Sequence, residues 1–219
     1  MKVWEIAGQF GLENLRLTEG PEPVPGHGQV KLRMLAAAIN YRDLVVVEGN
    51  YGRAIRPPVV PMSDGVGEVV ALGPGVGRLK LRDRVCPTFF PDWTCGPPHD
   101  SVMQLHRARG AAQNGTLCEA LVVDERAAVK VPDYLSHEEA ATLPCAGVTA
   151  WHALMVAGTP LKAGDSVLTL GTGGVSLHAL QFAKVAGASV ICTSSSEEKQ
   201  ARLQQLGAAA TINYKTYPD

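Results

Sequence analysis

Up to about residue 131 the apolar residues of this chain come in short runs cut by turn residues. Val30 to Leu35 alternates apolar and polar, and Gly67 to Leu72 is a β-branched run. Arg84 to Thr88 follows a Lys80-Leu81-Arg82-Asp83 turn, and Ala120 to Val123 and Ala128 to Val131 close the series. Alternation with period two, bounded by turn residues, predicts strands. Residues 1–131 are therefore expected to form a β-barrel-like domain.

Helical signals follow. Ser136 with Glu139 three residues on predicts a capping box, and Pro144 is expected to stop the helix it opens. A second helix is expected over Val148 to Val156, ending at Gly158 and Pro160. Residues 132–160 thus read as linking helices. After Pro160 the pattern becomes strand (Ser166 to Leu170), Gly-rich turn (Gly171 to Gly174), helix to about Ala186, strand (Ser189 to Thr193), helix from about Glu197 to Leu206, and strand (Ala210 to Tyr214). Gly187 and Gly207 follow the two helices, as glycine often does at helix C-termini. Strands separated by helices pair in parallel through right-handed crossovers. Residues 161–219 are therefore expected to be one βαβαβ half of a dinucleotide-binding fold, and the whole an α/β protein with a β-rich domain.

Composition removes several function classes. The 20 basic and 21 acidic side chains give a net charge of −1, without the basic face of a nucleic-acid protein or the polybasic cluster of a membrane anchor. Apolar residues make up 46% and charged ones 19%, which suits a packed core. The N-terminus MKVWEIAGQFGLENL lacks a signal-peptide pattern, and no apolar run is long enough for a membrane span. A cytoplasmic protein without nucleic-acid or membrane partners is expected. The five cysteines are too widely spaced for a disulfide framework or a CxxC knuckle, and are expected to be reduced and mostly buried.

The candidate chemistry starts at LTLGTGGVS. Gly171, Gly173 and Gly174, with Val175 opening the helix, stand between an apolar strand and an apolar-striped helix. Backbone without Cβ atoms can approach a pyrophosphate there, and the helix N-terminus offers unpaired N–H groups. Ser176 replaces the third glycine of GxGxxG. About 20 residues on, NAD enzymes place a carboxylate on the ribose 2′-OH. Here the sequence reads Thr193-Ser194-Ser195-Ser196, with Lys199 and Arg202 on the next helix. Hydroxyls and cations there would accept a 2′-phosphate, so NADP (NADPH) is expected over NAD. Glu197 and Glu198 weigh the other way, and Ser195 with Glu198 also reads as a plain capping box.

Several motifs in order (NYRDLVVVEG near residue 40, PMSDGVGEVVALGPGV from Pro61, LRDRV, LPCAGVTAWHAL, LGTGGVS, LGAAATINY) make the chain resemble the medium-chain dehydrogenase/reductase superfamily, in its zinc-free quinone-oxidoreductase and zinc-type alcohol-dehydrogenase-like branch. The resemblance implies a chaperonin-10-like barrel followed by a Rossmann domain, with substrate between them. At the positions where zinc members of that family carry Cys, His and Cys, this chain has Asn40, Ser63 and Cys145. Zinc needs about three imidazole, thiolate or carboxylate ligands, so no metal is expected even if Asp64 contributes. The segment from Cys95 to Cys118, with His99 and His106, lacks the four close cysteines of structural-zinc members. The resemblance also places Asn40 and Tyr41 beside the nicotinamide, Thr149 on its ring and Tyr214 near the adenosine phosphate, with Asp43 structural. A barrel-surface aromatic is the equal alternative for Tyr41. Phe89, Phe90 and Trp93 read as packing or as an apolar substrate wall. Arg82 stands where the family's turn has glycine.

From Ser166 to Asp219 there is chain enough for the first βαβαβ half only. A fragment, a truncated product and a chain completed by another copy all fit, the last as a homodimer through the uncovered sheet edge; truncation of a longer ancestral enzyme is the expectation. The expected activity is NAD(P)H-dependent hydride transfer to or from an activated carbonyl, enone, quinone or alcohol without zinc. The alternative is a non-catalytic remnant that binds nucleotide or a partner. Substrate and pathway, specialised or detoxifying, are not legible.

Overall fold

A computed structural model describes residues 1–52, 55–93, 95–97 and 107–216. His99, His106 and the Tyr-Pro-Asp tail lie outside them. The chain divides into two compact units, Met1–Cys145 and Ala146–Asp219.

The N-terminal unit opens with an antiparallel hairpin of β1 (Lys2–Ile6) and β2 (Leu15–Glu19). Its main sheet is antiparallel and five-stranded, in the order β6-β3-β4-β5-β7: β3 is Gln29–Ala38, β4 Asp64–Leu72, β5 Arg84–Pro87, β6 Ala120–Asp124 and β7 Ala128–Lys130. Each expected strand is present, and the two central ones run longer than the alternation suggested. Small residues (Ala36 to Ala38, Gly65) carry the pairing beyond the apolar runs, with Ala38 opposite Asp64. Register shifts at Lys31/Leu32 and Met34/Ala36 mark bulges, which bend a sheet. Val30, Leu32, Val69, Val85, Leu121 and Val123 point to one buried face. The hairpin and the short helix α1 (Tyr41–Val47) were not foreseen; α1 packs Val46 and Val47 against Ile6, Ile55 and Val59.

Helix α2 (His137–Ala141) carries the expected capping box: Ser136 Oγ accepts from the Glu139 amide at 3.1 Å, and the Glu139 carboxylate accepts from the Ser136 amide at 2.9 Å. Pro144 does not simply end the helical stretch. A π-helical turn, Leu143–Gly147, carries the chain past it into α3 (Val148–Met155). Proline lacks an N–H, and a wider turn tolerates that loss while setting Cys145 off the regular helical phase.

In the C-terminal unit, β8 (Ser166–Thr169), α4 (Gly174–Val185), β9 (Ser189–Ser194), α5 (Glu197–Leu206) and β10 (Ala210–Asn213) give the expected alternation. The sheet is parallel in the order β10-β9-β8, half of a doubly wound sheet. Leu180, Ala183, Val190, Cys192 and Leu203 form its core. Leu168 is 58% exposed and Ile212 39%, on strands whose helix-facing residues are covered. Cys86 and Cys192 are buried, Cys118 and Cys145 half-buried and Cys95 exposed; all five are free thiols.

Candidate functional site

The first cluster lies in the N-terminal unit, where the start of α1, the start of β4 and the π-helical turn converge. Asn40 ends the extended backbone after β3 and caps α1. Its amide N–H donates to Asp43 Oδ2 at 2.8 Å, which fixes Asp43 inward, 4% exposed. Ser63 and Asp64 are fully buried. Asp64 Oδ1 accepts from Ser63 Oγ at 2.8 Å and Oδ2 from the Cys145 amide at 3.0 Å, while its carbonyl accepts from Thr116 Oγ1 at 2.7 Å. Gly115 makes this packing possible. A Cβ there would stand 2.1 Å from the Pro61 and Met62 carbonyl oxygens, and Met62, just before Ser63, holds a left-handed φ of 72°.

Burial dominates the electrostatics. It pushes Asp64 up to about 6, with the Ser63, Asn40 and Cys145 neighbours holding it down in part. Asp43 is also raised, chiefly by burial and against the pull of its hydrogen bonds and Arg42. The Cys145 thiol is pushed up to about 12 by burial and then by Asp64. Asn40 Nδ2 sits close enough to Asp64 to lower its pKa, yet makes no hydrogen bond of ordinary geometry.

The three positions that hold zinc in the resembled family therefore present an amide, a hydroxyl and a protonated thiol. Among the described residues no three His, Cys, Asp or Glu side chains come together. Both Asp64 oxygens already have donors. This donor set does not fit a zinc ion, which takes about three thiolate, imidazole or carboxylate ligands.

Of the residues expected here, Asn40 lies in the cluster, but Tyr41 is 82% exposed at the first position of α1. The residue missed in the sequence is Arg42, whose side chain is one-tenth exposed. Its Nη1 donates to Asp43 Oδ1 and to the Arg109 carbonyl, both at 3.0 Å. Its guanidinium carbon lies 4.3 Å from the Tyr51 ring centroid and 5.1 Å from that of Phe89. Nε and Nη2 are buried and have no hydrogen-bond partner. Each buried donor left unmade costs about 1–3 kcal/mol, against about 0.5–2 kcal/mol gained per cation–π contact. The ring contacts do not decisively offset the two idle donors. A lone arginine beside an exposed tyrosine gives no sequence signal for this burial.

The second cluster lies in the C-terminal unit. Gly171 turns the chain after β8 with φ 78°, and its amide donates to Thr193 Oγ1 at 2.9 Å. Gly173 caps α4 and Gly174 is its first residue. A Cβ at Gly171 or Gly173 would meet nothing within 4 Å, so open space lies over the turn. The amides of Gly174, Val175 and Ser176 are in the first turn, where no intrahelical carbonyl can accept from them. Ser176 Oγ donates to the Leu170 carbonyl at 2.9 Å, closing the turn where a third glycine would stand. Ser194 is buried and bonds within its own turn, accepting from the Ser196 amide at 3.2 Å. The cap of α5 is Ser196, not Ser195: the helix begins at Glu197, so Ser196 Oγ accepts from the Lys199 amide at 3.4 Å. Ser195 is half-buried between strand and cap, and Lys199 is exposed in the first turn. Arg202 is turned to Gln205 Oε1 at 3.2 Å. Tyr214 follows β10, 47% exposed, its amide on the Ser194 carbonyl at 3.3 Å. Thr149 is exposed at the second position of α3.

Comparison with known proteins agrees with both halves. Residues 26–133 match the alcohol dehydrogenase GroES-like domain, and residues 174–219 match the zinc-binding dehydrogenase family. A zinc-type alcohol dehydrogenase-like protein of Schizosaccharomyces pombe is 45% identical over 192 residues, covering 87% of this chain and 55% of that protein. The crystal structure of a putative alcohol dehydrogenase from Sinorhizobium meliloti superposes with a TM-score of 0.91 at 42% identity, covering 98% of this chain and 63% of that one. A quinone oxidoreductase from Pseudomonas syringae superposes with a TM-score of 0.78 at 30% identity, covering 98% and 59%. The chain spans about 55% to 63% of the length of the first curated relatives it matches. With its motifs, its two folded halves and these likenesses in agreement, the chain belongs to the medium-chain dehydrogenase/reductase superfamily.

Proposed function

We propose that this chain carries the nucleotide seat and the substrate-side cluster of an NADPH-dependent oxidoreductase that works without zinc on an activated carbonyl, enone, quinone or alcohol. The open space over Gly171 and Gly173 carries this reading. The amides of Gly174, Val175 and Ser176 would hold the pyrophosphate at the helix N-terminus. Ser195 and Lys199 would take the 2′-phosphate, against the opposing charge of Glu197 and Glu198 in the same turn, and Tyr214 would lie on the adenosine side. Ser194 is committed to its own turn, so its part is to shape that end of the strand. NADPH, when bound, would supply the hydride. In the N-terminal unit Asn40 and Tyr41 would serve the substrate side, and in the C-terminal unit Thr149 would touch the nicotinamide ring. Asp64, with a pKa of about 6 and Oδ1 on Ser63 Oγ, is the buried group able to exchange a proton near neutral pH.

Gly173→Ser tests the seat. Gly173 has ordinary extended backbone, φ −77° and ψ 172°, at an N-cap position, where serine is among the preferred residues. Thermal stability should stay within about 0.5 kcal/mol of wild type, while NADPH affinity, followed by fluorescence enhancement, falls tenfold or more. Equal affinity in wild type and variant would refute the seat. NADPH consumed over a benzoquinone marks an oxidoreductase; binding without consumption leaves this chain a nucleotide binder.

A further inference from the structure

A cavity of about 620 Å³ lies along β6, an edge strand of the main sheet, wholly within the N-terminal unit. That volume is in the range that holds small organic ligands. Val3, Val60 and Pro91 give it apolar lining, and Arg109 and Asn114 are among its polar residues. Arg109 is 4% exposed. Its Nε donates to the Thr88 carbonyl and its Nη1 to the Asn114 carbonyl, both at 3.3 Å. Nη2 has no hydrogen-bond partner among the described residues, yet unlike Nη2 of Arg42 it is not sealed off and keeps surface of its own. Burial lowers the Arg109 pKa to about 10, so the group is still a cation at neutral pH. Buried cations are normally paired with an anion. Among the described residues none faces Arg109: Asp92, in the cavity lining, pairs with Arg107 at 2.5 Å, and Asp124 pairs with Arg126 at 2.9 Å. The Cys118 thiol in the same lining is pushed up to about 11 by burial and brings no charge. Asn114 Oδ1 accepts from the Val60 amide at 3.5 Å, which leaves Nδ2 as a second donor.

We propose that this cavity binds a small aliphatic carboxylate, its charge facing Arg109 Nη2 and its chain along Val3, Val60 and Pro91. The bound anion supplies the counter-charge that the fold leaves out. The site rests on neither the nucleotide seat nor the substrate-side cluster. Phosphate is the poorer match, because one guanidinium nitrogen and one neutral amide are few donors for a dianion, and it brings no hydrocarbon for the apolar lining.

The probe is hexanoate, titrated calorimetrically into the full chain beside hexanamide, which has the same chain and no charge, and inorganic phosphate. Wild type should bind hexanoate about tenfold or more tightly than either. Asn114→Asp keeps the acceptor for the Val60 amide and sets a carboxylate beside Arg109, so hexanoate affinity should fall roughly tenfold or more. In wild type, hexanoate should slow amide hydrogen exchange in residues 109–114 and in β6, and leave residues 169–176 unchanged. Hexanoate and hexanamide binding alike, phosphate binding more tightly than hexanoate, Asn114→Asp binding hexanoate like wild type, or protection at residues 169–176 instead would each overturn the proposal. The wild-type comparison and the exchange pattern stand even if the variant fails to fold. Wild type that binds hexanoate and not NADPH supports this site and counts against the nucleotide reading alone.

Discussion

At the scale of the residue, Asp64 shows burial winning over hydrogen bonding. Two donors and a nearby amide pull its pKa down, yet desolvation leaves it at about 6 against an ordinary 3.8. The sign of the pH effect follows. As pH rises from about 4 to 6 the unfolded chain has already lost this proton while the folded one keeps it, so Asp64 favours the fold fully below about 4 and loses that contribution by about 6. Asp64→Asn should lack this slope. In urea unfolding at pH 4, 5.5 and 7, the stability of the variant relative to wild type should rise with pH by on the order of 1–3 kcal/mol; a constant difference would contradict a raised pKa. In the sequence Asp64 reads only as a spare carboxylate next to a lost ligand position. Its burial depends on Thr116 and Cys145, residues 52 and 81 positions away, which no local pattern reports.

At the scale of the element, local signals served well where the chain bonds to itself nearby. The Ser136–Glu139 box, the bounds of α5 and the strand after Lys80-Leu81-Arg82-Asp83 all form as read. That last turn also explains a departure noted in the sequence. Arg82 has φ 71°, a left-handed conformation that costs a side chain about 1–2 kcal/mol and glycine nothing. Glycine gives back about 0.5–1 kcal/mol in backbone entropy. Arg82→Gly should therefore raise the unfolding free energy by roughly 0.5–1 kcal/mol, measured by urea titration; a loss would mean that the Arg82 side chain does more than turn the chain. Helix α1 escaped notice because seven residues show too little periodicity to separate from a β-branched strand, LVVV being apolar in both.

At the scale of the whole molecule, the described residues form two units that carry different parts of the proposed chemistry. If the glycine turn seats the nucleotide, saturating NADPH should slow amide hydrogen exchange in Thr169 to Ser176 and in β9, and leave β3 and β4 unchanged. Uniform protection, or none, would be inconsistent with a seat confined to the C-terminal unit. No helix among the described residues is long and apolar enough to cross a membrane. Much at this scale was legible from periodicity alone: period-two runs turning to strand-helix alternation reflect hydrogen bonding and burial repeated every few residues. The glycine turn was legible too, because glycines between a strand and a helix are a local necessity of tight turning. Which side chains lose their water was not. The exposure of Tyr41 beside the burial of Arg42, the idle edge of that guanidinium and the raised Asp64 are set by groups brought together from distant segments. Tertiary structure decides them because desolvation and hydrogen-bond satisfaction depend on neighbours in space, and the sequence by itself orders neighbours only along the chain.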